Sequence, residues 1–147
     1  MPAPTPTVAA VNVTSVYSDA YTAIAGTDFY PNWGQATQVT EVEIQGNKML
    51  KYAGLNYQGI QLAGGQNVSA MTHLHLDFWT ANSTALNVFI ISTGPVETGI
   101  ALSVPTTGWV SIDIPLSQFA PVNLNDVIQF KFDGNGDIYL DNIYFRK

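Results

Sequence analysis

Three groups of side chains in this sequence could do chemistry: two histidines, eleven acids and an aromatic complement of 12%. His73 and His75 lie two apart in "THLHLDFW", so on a strand they share a face with Asp77 and Trp79. A metal there would have Asp77 as its third ligand and no fourth; the plainer reading is the polar face of a half-exposed strand. No G-x-S-x-G elbow accompanies them. Glu41 and Glu43 share a strand face, while Glu97, Asp113 and Asp126 scatter near turns. Nothing in the spacing sets two carboxylates across a cleft, as glycoside hydrolysis needs. The chain reads as a non-enzyme.

Two aspartates ask for a partner. Asp19 stands in "VYSDAY" near the first strand, and Asp141 in "YLDNIYF" at the last. Simple alternation puts Ile138 and Leu140 on one face of that strand, and Tyr139, Asp141, Ile143 and Phe145 on the other. An acid among apolar neighbours must be compensated if it is buried. Lys51 or Lys131 could do so by a salt bridge, and a calcium ion could do so with carboxylate, amide and carbonyl oxygens.

The aromatic rings suggest contact chemistry. In "DFYPNWGQ", Phe29 is expected to fold inward and anchor the loop. That leaves Tyr30 and Trp33 as a rigid stacking surface in a Pro-Gly frame. Asn32 and Gln35 stand beside them, amides that make good bidentate partners for vicinal hydroxyls. A second candidate is Trp79 with His75 on the polar face of its strand, and Phe89 on the following strand also points away from Val88 and Ile90. Tyr57 and Gln61, opposite Ile60 and Leu62, suit either site. Trp109 reads as structural, and Phe78, Phe130, Phe132 and Phe145 as core.

These residues need strands to hold them. Period-two runs recur: "VTEVEI", "YQGIQL", "THLHLDFW", "LNVFII", "WVSIDIPL", "VIQFKF" and "DIYLDNIYF". Turn-forming pieces such as "QGNK", "AGGQN" and "FDGNGD" separate them. Helical periodicity is nearly absent; "PLSQFAPVNLNDV" allows one short turn. The pattern predicts an all-β, two-sheet antiparallel sandwich of jelly-roll type. Residues 1–10, "MPAPTPTVAA", read as a Pro/Thr-rich linker remnant, and residues 11–147 as one domain.

Composition narrows the partners. Only 11% of residues are charged, so solubility rests on Thr, Ser, Asn and Gln, a habit of extracellular β-proteins. A net charge of −6 with five basic residues argues against a nucleic-acid surface. There is no cysteine, hence no disulfide or thiolate site. No apolar run approaches the ~20 residues of a membrane span. No signal peptide is visible, which suggests a piece of a longer protein.

"MLKYAGLNYQGIQL", "LHLDFWT", "GWVSIDIPLSQF" and "IYLDNIYF" together resemble the non-catalytic carbohydrate-binding modules that accompany bacterial glycoside hydrolases and surface glycan-binding proteins. The resemblance covers about residues 11 to 147. It implies a jelly roll with a structural calcium held by an acid near the first strand, carbonyls of an early turn and the aspartate of the final "DN". Those positions are Asp19, the carbonyls of Asn47 or Lys48, and Asp141. Related modules often have Glu where Asp19 stands. The resemblance also implies a polysaccharide ligand, first a β-glucan such as laminarin, a secreted or cell-surface setting, and covalently linked catalytic or glycan-binding domains. The rival expectation is a β-sandwich spacer or protein-interaction domain whose rings are packed and bind nothing.

Overall fold

A computed structural model describes residues 1–147. Ten strands follow in chain order: β1 (Val13–Tyr17), β2 (Gln38–Ile44), β3 (Asn47–Ala53), β4 (Tyr57–Gln66), β5 (His73–Thr80), β6 (Leu86–Ser92), β7 (Val96–Leu102), β8 (Val110–Pro115), β9 (Val127–Gly134) and β10 (Ile138–Arg146). The only helical pieces are 3-10 turns at Ala10–Asn12 and Leu116–Phe119.

The strands form two antiparallel sheets. The larger runs β2-β3-β10-β5-β8, with β1 also on β10; the smaller runs β4-β9-β6-β7. Alternation explains why they stack. Leu74, Leu76 and Phe78 of β5 meet Ile60 and Leu62 of β4, Val88 and Ile90 of β6, and Phe130 and Phe132 of β9 in one buried cluster. Each such side chain withdrawn from water contributes about 1.5–3 kcal/mol, and the other face of every strand is left free for other work.

β10 departs from simple alternation. It pairs with β3 through Ile138, Tyr139 and Leu140, then with β1 from Ile143 to Arg146, and its register against β5 shifts between Asp141 and Tyr144. Asn142 sits at φ 50, a left-handed conformation that Asn tolerates better than most residues. The extra residue of this bulge reverses the parity beyond it. Ile143 and Phe145, expected opposite Leu140, therefore join it in the core, and all three are buried. This corrects the face assignment drawn from alternation. The bulge sets Asp141 against Asn47 of β3 and turns Asn142 to Asp77 of β5 and to Ser18, which follows β1.

Consecutive strands β5 and β6 lie in different sheets. Trp79 and Phe89, neighbours in sequence order, thus face opposite sides of the sandwich.

Candidate functional site

On the smaller sheet, pairing lines up residues in rows that cross the strands. The middle row is Gly59, Lys131, Phe89 and Gly99. One flanking row holds Tyr57, Asp133, Asn87 and Ala101, and the other Gln61, Gln129, Ile91 and Glu97. Both glycines are there for the rings. A Cβ on Gly59 would clash with the Trp33 ring, and one on Gly99 with the Phe89 ring. Each ring rests on bare backbone of its neighbour strand, where no larger residue would fit. The row spans three strand spacings, ~14 Å.

Polar groups fill the space between. Lys131 Nζ stands 4.1 Å above the Phe89 ring centroid and donates to Glu97 Oε1 at 2.9 Å. Asn87 Nδ2 donates to Asp133 Oδ1 at 2.7 Å. A shallow depression beside the indole is lined by Trp33, Asn56, Tyr57, Lys131 and Asp133. A flat ring flanked by amide, carboxylate, hydroxyl and ammonium groups can stack on an apolar ring face while pairing with hydroxyls at its rim.

The loop before β2 delivers Trp33. Phe29 turns inward as expected, packing against the core and edge-on to Tyr17 at 5.4 Å. Tyr57 Oη donates to the Trp33 carbonyl at 2.9 Å. Asn56 Oδ1 accepts from the Ala36, Thr37 and Tyr57 amides. Tyr30 is 49% exposed and donates through its hydroxyl to Thr37 O at 3.2 Å. Asn32 and Gln35 work inside the loop. Asn32 Oδ1 accepts from Gly34 N. Gln35 accepts from Trp33 N and donates to Pro31 O and Gln58 Oε1. These amides position the ring.

The larger sheet's outer face carries the other candidates, and it is covered. Residues 1–8 run across it. Met1, Ile44, Met49, Trp79, Trp109 and Tyr139 enclose an apolar pocket, with Trp79 and Tyr139 edge-to-face at 5.5 Å. Further along, Pro4 to Val8 lie over His75, Asp77, Ser111, Asp113, Tyr144 and Arg146. Four hydrogen bonds hold the segment: Trp109 Nε1 to Met1 O, Ala3 N to Asn47 Oδ1, Asn142 Nδ2 to Pro4 O, and Tyr21 Oη to Val8 O. Read from sequence as a linker, it lies against the domain because its extended backbone offers the Met1, Pro4 and Val8 carbonyls and the Ala3 N–H to partners there.

Beneath the cover, charges are matched. His75 places each ring nitrogen 3.0 Å from a carboxylate, Asp77 on one side and Asp113 on the other. Two acceptors at one imidazole call for the doubly protonated ring. Burial lowers the His75 pKa, but the bonds and charges of Asp77 and Asp113 outweigh it and hold the pKa above its ordinary value. Burial likewise opposes ionisation of Asp113, yet Arg146 and His75 keep its carboxyl below the usual range. Asp77, 2% exposed, also accepts from Ser111 Oγ and Asn142 Nδ2. His73 turns instead to Thr72.

The acids expected at the chain's two ends do meet. Asn47 Nδ2 donates to Asp19 Oδ2 at 3.1 Å and to Asp141 Oδ2 at 3.0 Å, and Lys48 N donates to Asp19 Oδ2 at 2.7 Å. The resemblance implied carbonyls of Asn47 or Lys48; the groups turned to the acids here are a side-chain amide and a main-chain N–H. Asp141 is fully buried, and burial, with Asp19 and Asp77 nearby, pushes its carboxyl up to about 6. None of the molecule's ion pairs includes it. Nor do three or more His, Cys, Asp or Glu side chains gather anywhere as a metal cluster.

No protein-family model matches the chain, and no curated protein is similar to it in sequence. Solved structures do match. The family 11 module of the cellulosomal cellulase Lic26A-Cel5E of Clostridium thermocellum superposes with a TM-score of 0.64 at 19% identity, covering 94% of this chain and 96% of that one. The fold is that of carbohydrate-binding modules. The family 30 module of the Clostridium thermocellum cellulase Cel9D-Cel44B gives 0.60 at 13% identity over 92% and 97% of the two chains. A family 28 module specific for non-crystalline cellulose gives 0.60 at 14% over 90% of each. Carbohydrate-binding modules of four families thus share this architecture, at identities that speak to fold alone.

Proposed function

We propose that this chain is a non-catalytic carbohydrate-binding module that holds a polysaccharide on the outer face of its smaller sheet. One observation carries the reading: Trp33 on Gly59 and Phe89 on Gly99 lie in a single row, with Lys131 between them. A platform ~14 Å long suits an extended oligosaccharide crossing the strands better than a single sugar. Tyr57, Asn56 and Asp133 on one side and Gln61, Gln129 and Glu97 on the other would pair with hydroxyls. Tyr30 extends the surface at the loop. Laminarin remains the first β-glucan to try. Mixed-linked glucan belongs beside it, since a solved family 11 module of this fold is in complex with a β-1,3-1,4-mixed-linked tetrasaccharide. The proposal includes delivery outside the cell within a larger protein and no hydrolysis of the ligand. Affinity gels containing laminarin, mixed-linked glucan and soluble cellulose test it. Retardation by one of them, lost in Trp33→Ala, is expected; free migration in all three leaves the spacer reading standing.

We also propose a structural calcium between Asp19 and Asp141. A fully buried carboxylate beside a second acid, offset only by amide donors, fits a hard cation that takes oxygen ligands. Both carboxylates would hold it, joined by the Asn47 side-chain oxygen once that amide, whose Nδ2 now faces the acids, is reversed. Calcium at ~100 times its Kd would add ~2.7 kcal/mol to stability. Tm should fall on chelation, and the shift should vanish in Asp141→Ala; an unchanged Tm in excess chelator would sink the idea.

A further inference from the structure

Asn47 joins two features that the proposed function leaves separate. Its Nδ2 donates to both Asp19 and Asp141, while its Oδ1 accepts from the Ala3 N–H at 3.0 Å. The backbone amide of Ala3 can only donate, so it fixes which end of the side chain is oxygen. The strap of residues 1–8 therefore holds nitrogen toward the acids.

A cation between the carboxylates needs the opposite. An amide nitrogen has no free lone pair for a metal, and its hydrogens repel one. The Nδ2 group occupies the very oxygens a cation would take. Turning the amide over frees Asp141 Oδ2, leaves Asp19 Oδ2 with the Lys48 N–H alone and offers Oδ1 as a ligand, but sets Nδ2 against the Ala3 N–H, donor against donor. The Pro4 tether is close to the same point, because Asn142 Nδ2 reaches Pro4 O at 2.7 Å from the residue next to Asp141.

We infer that the strap and the cation are coupled antagonistically through the Asn47 side chain, so that a divalent cation at Asp19 and Asp141 loosens residues 1–8 from the larger sheet's outer face. The inference rests on the calcium reading above. By reciprocity, whatever frees the strap must tighten cation binding by the same factor. The face beneath it, with Trp79, Trp109 and Tyr139 at one end and His75, Asp77 and Asp113 at the other, would become accessible more often when the cation is bound.

Calcium titration of the whole chain, wild type against Ala3→Pro, tests the coupling. Proline removes the one N–H that locks the amide, and its neighbours Pro2 and Pro4 already favour extended backbone. The expected change is about fivefold tighter calcium binding, the equivalent of one net hydrogen bond. Ala3→Gly keeps the N–H and should bind as wild type does. As a second readout, hydrogen exchange of the Trp109 indole N–H, which donates to Met1 O, should quicken when calcium is added to the wild type. In Ala3→Pro it should be fast throughout. Equal calcium affinity in all three chains, with indole exchange indifferent to calcium, overturns the coupling and leaves the calcium site intact. Absence of binding in every chain overturns both.

Discussion

The two outer faces of this sandwich are built from similar side chains and do opposite things. Each carries aromatic rings, acids and a cation. On the larger sheet, Trp79, Tyr139, His75, Asp77 and Asp113 face one another beneath residues 1–8. On the smaller sheet, Trp33, Phe89, Lys131 and Asp133 are half-buried among their own neighbours, with Lys131 over the Phe89 ring and no strap across them. Cover decides how much charge a face can keep. Under the strap, Asp77 is 2% exposed and needs His75, Ser111 and Asn142 together. In the open, Lys131 and Glu97 are partly solvated, and their pairing can be exchanged for a ligand at little cost. Glycine marks the other difference. Only the smaller sheet has bare positions, Gly59 and Gly99, on which rings can lie flat.

The comparison breaks most sharply at His75. His75→Ala leaves the buried Asp77 without its cation and should destabilise folding by about 3 kcal/mol, while glycan retardation on an affinity gel stays as in wild type. Loss of both would mean that the two faces are not independent. Trp33→Ala should act in the reverse sense. Glycan affinity should fall by about 1–3 kcal/mol, by analogy with interface anchors. A Trp from the core would instead cost roughly 3–5 kcal/mol of stability. Calorimetric titration and thermal melting on the same samples separate these outcomes. Gly59→Ala, whose new methyl would enter the space of the Trp33 ring, should weaken binding in the same direction, and normal affinity there would remove the ring from the site.

A subtler separation comes from pH. His75 has a folded pKa above its ordinary 6.5, so its stabilisation is complete below 6.5 and is lost as pH rises through the folded value. Asp113 has a folded pKa below 3.8, so its contribution is present above 3.8 and lost as pH falls through the lower folded value. Tm should therefore decline from pH 6 to pH 8, and His75→Gln should flatten that slope. A wild-type Tm constant across that range would contradict the charged imidazole. The smallest effect is expected at Lys131. Lys131→Ala removes an exposed ion pair whose typical worth is about 0.2–1 kcal/mol, so Tm should hardly move. A large drop in Tm would show that the open face depends on its charges as the covered one does.

Much of the fold was legible because burial follows period two. Leu74, Leu76 and Phe78 announced the core face of β5, and Phe130 and Phe132 that of β9, since each strand buries one side. The meeting of Asp19 with Asp141 was implied by resemblance, and the structure brings them to one amide. Phe29 as an inward anchor followed from the crowding of three rings in one loop. Lys131, Asp133 and Asn56 were not legible as site residues. Lys131 and Asp133 lie on β9, which meets the Trp33 seat on β4 only through pairing between distant parts of the chain, Asn56 bonds the Trp33 loop from the turn before β4, and no local pattern encodes a row that crosses strands. Gly59 and Gly99 could have been read as places of close approach, but not as seats for particular rings.

By itself, then, the sequence determined which residues could be inside, where the chain turns, and how sparse its charge is. These are local consequences of hydrophobic alternation and turn chemistry. Tertiary structure alone decided that Trp79 and Phe89 face opposite ways, because β5 and β6 enter different sheets. It also decided that Ile143 and Phe145 return to the core, because the bulge at Asp141 and Asn142 reverses parity. And it placed a proline strap over one aromatic face while leaving the other open, through hydrogen bonds between residues as far apart in sequence as Pro4 and Asn142. Contacts of that range depend on how the sheets stack, and no window of neighbouring residues contains them.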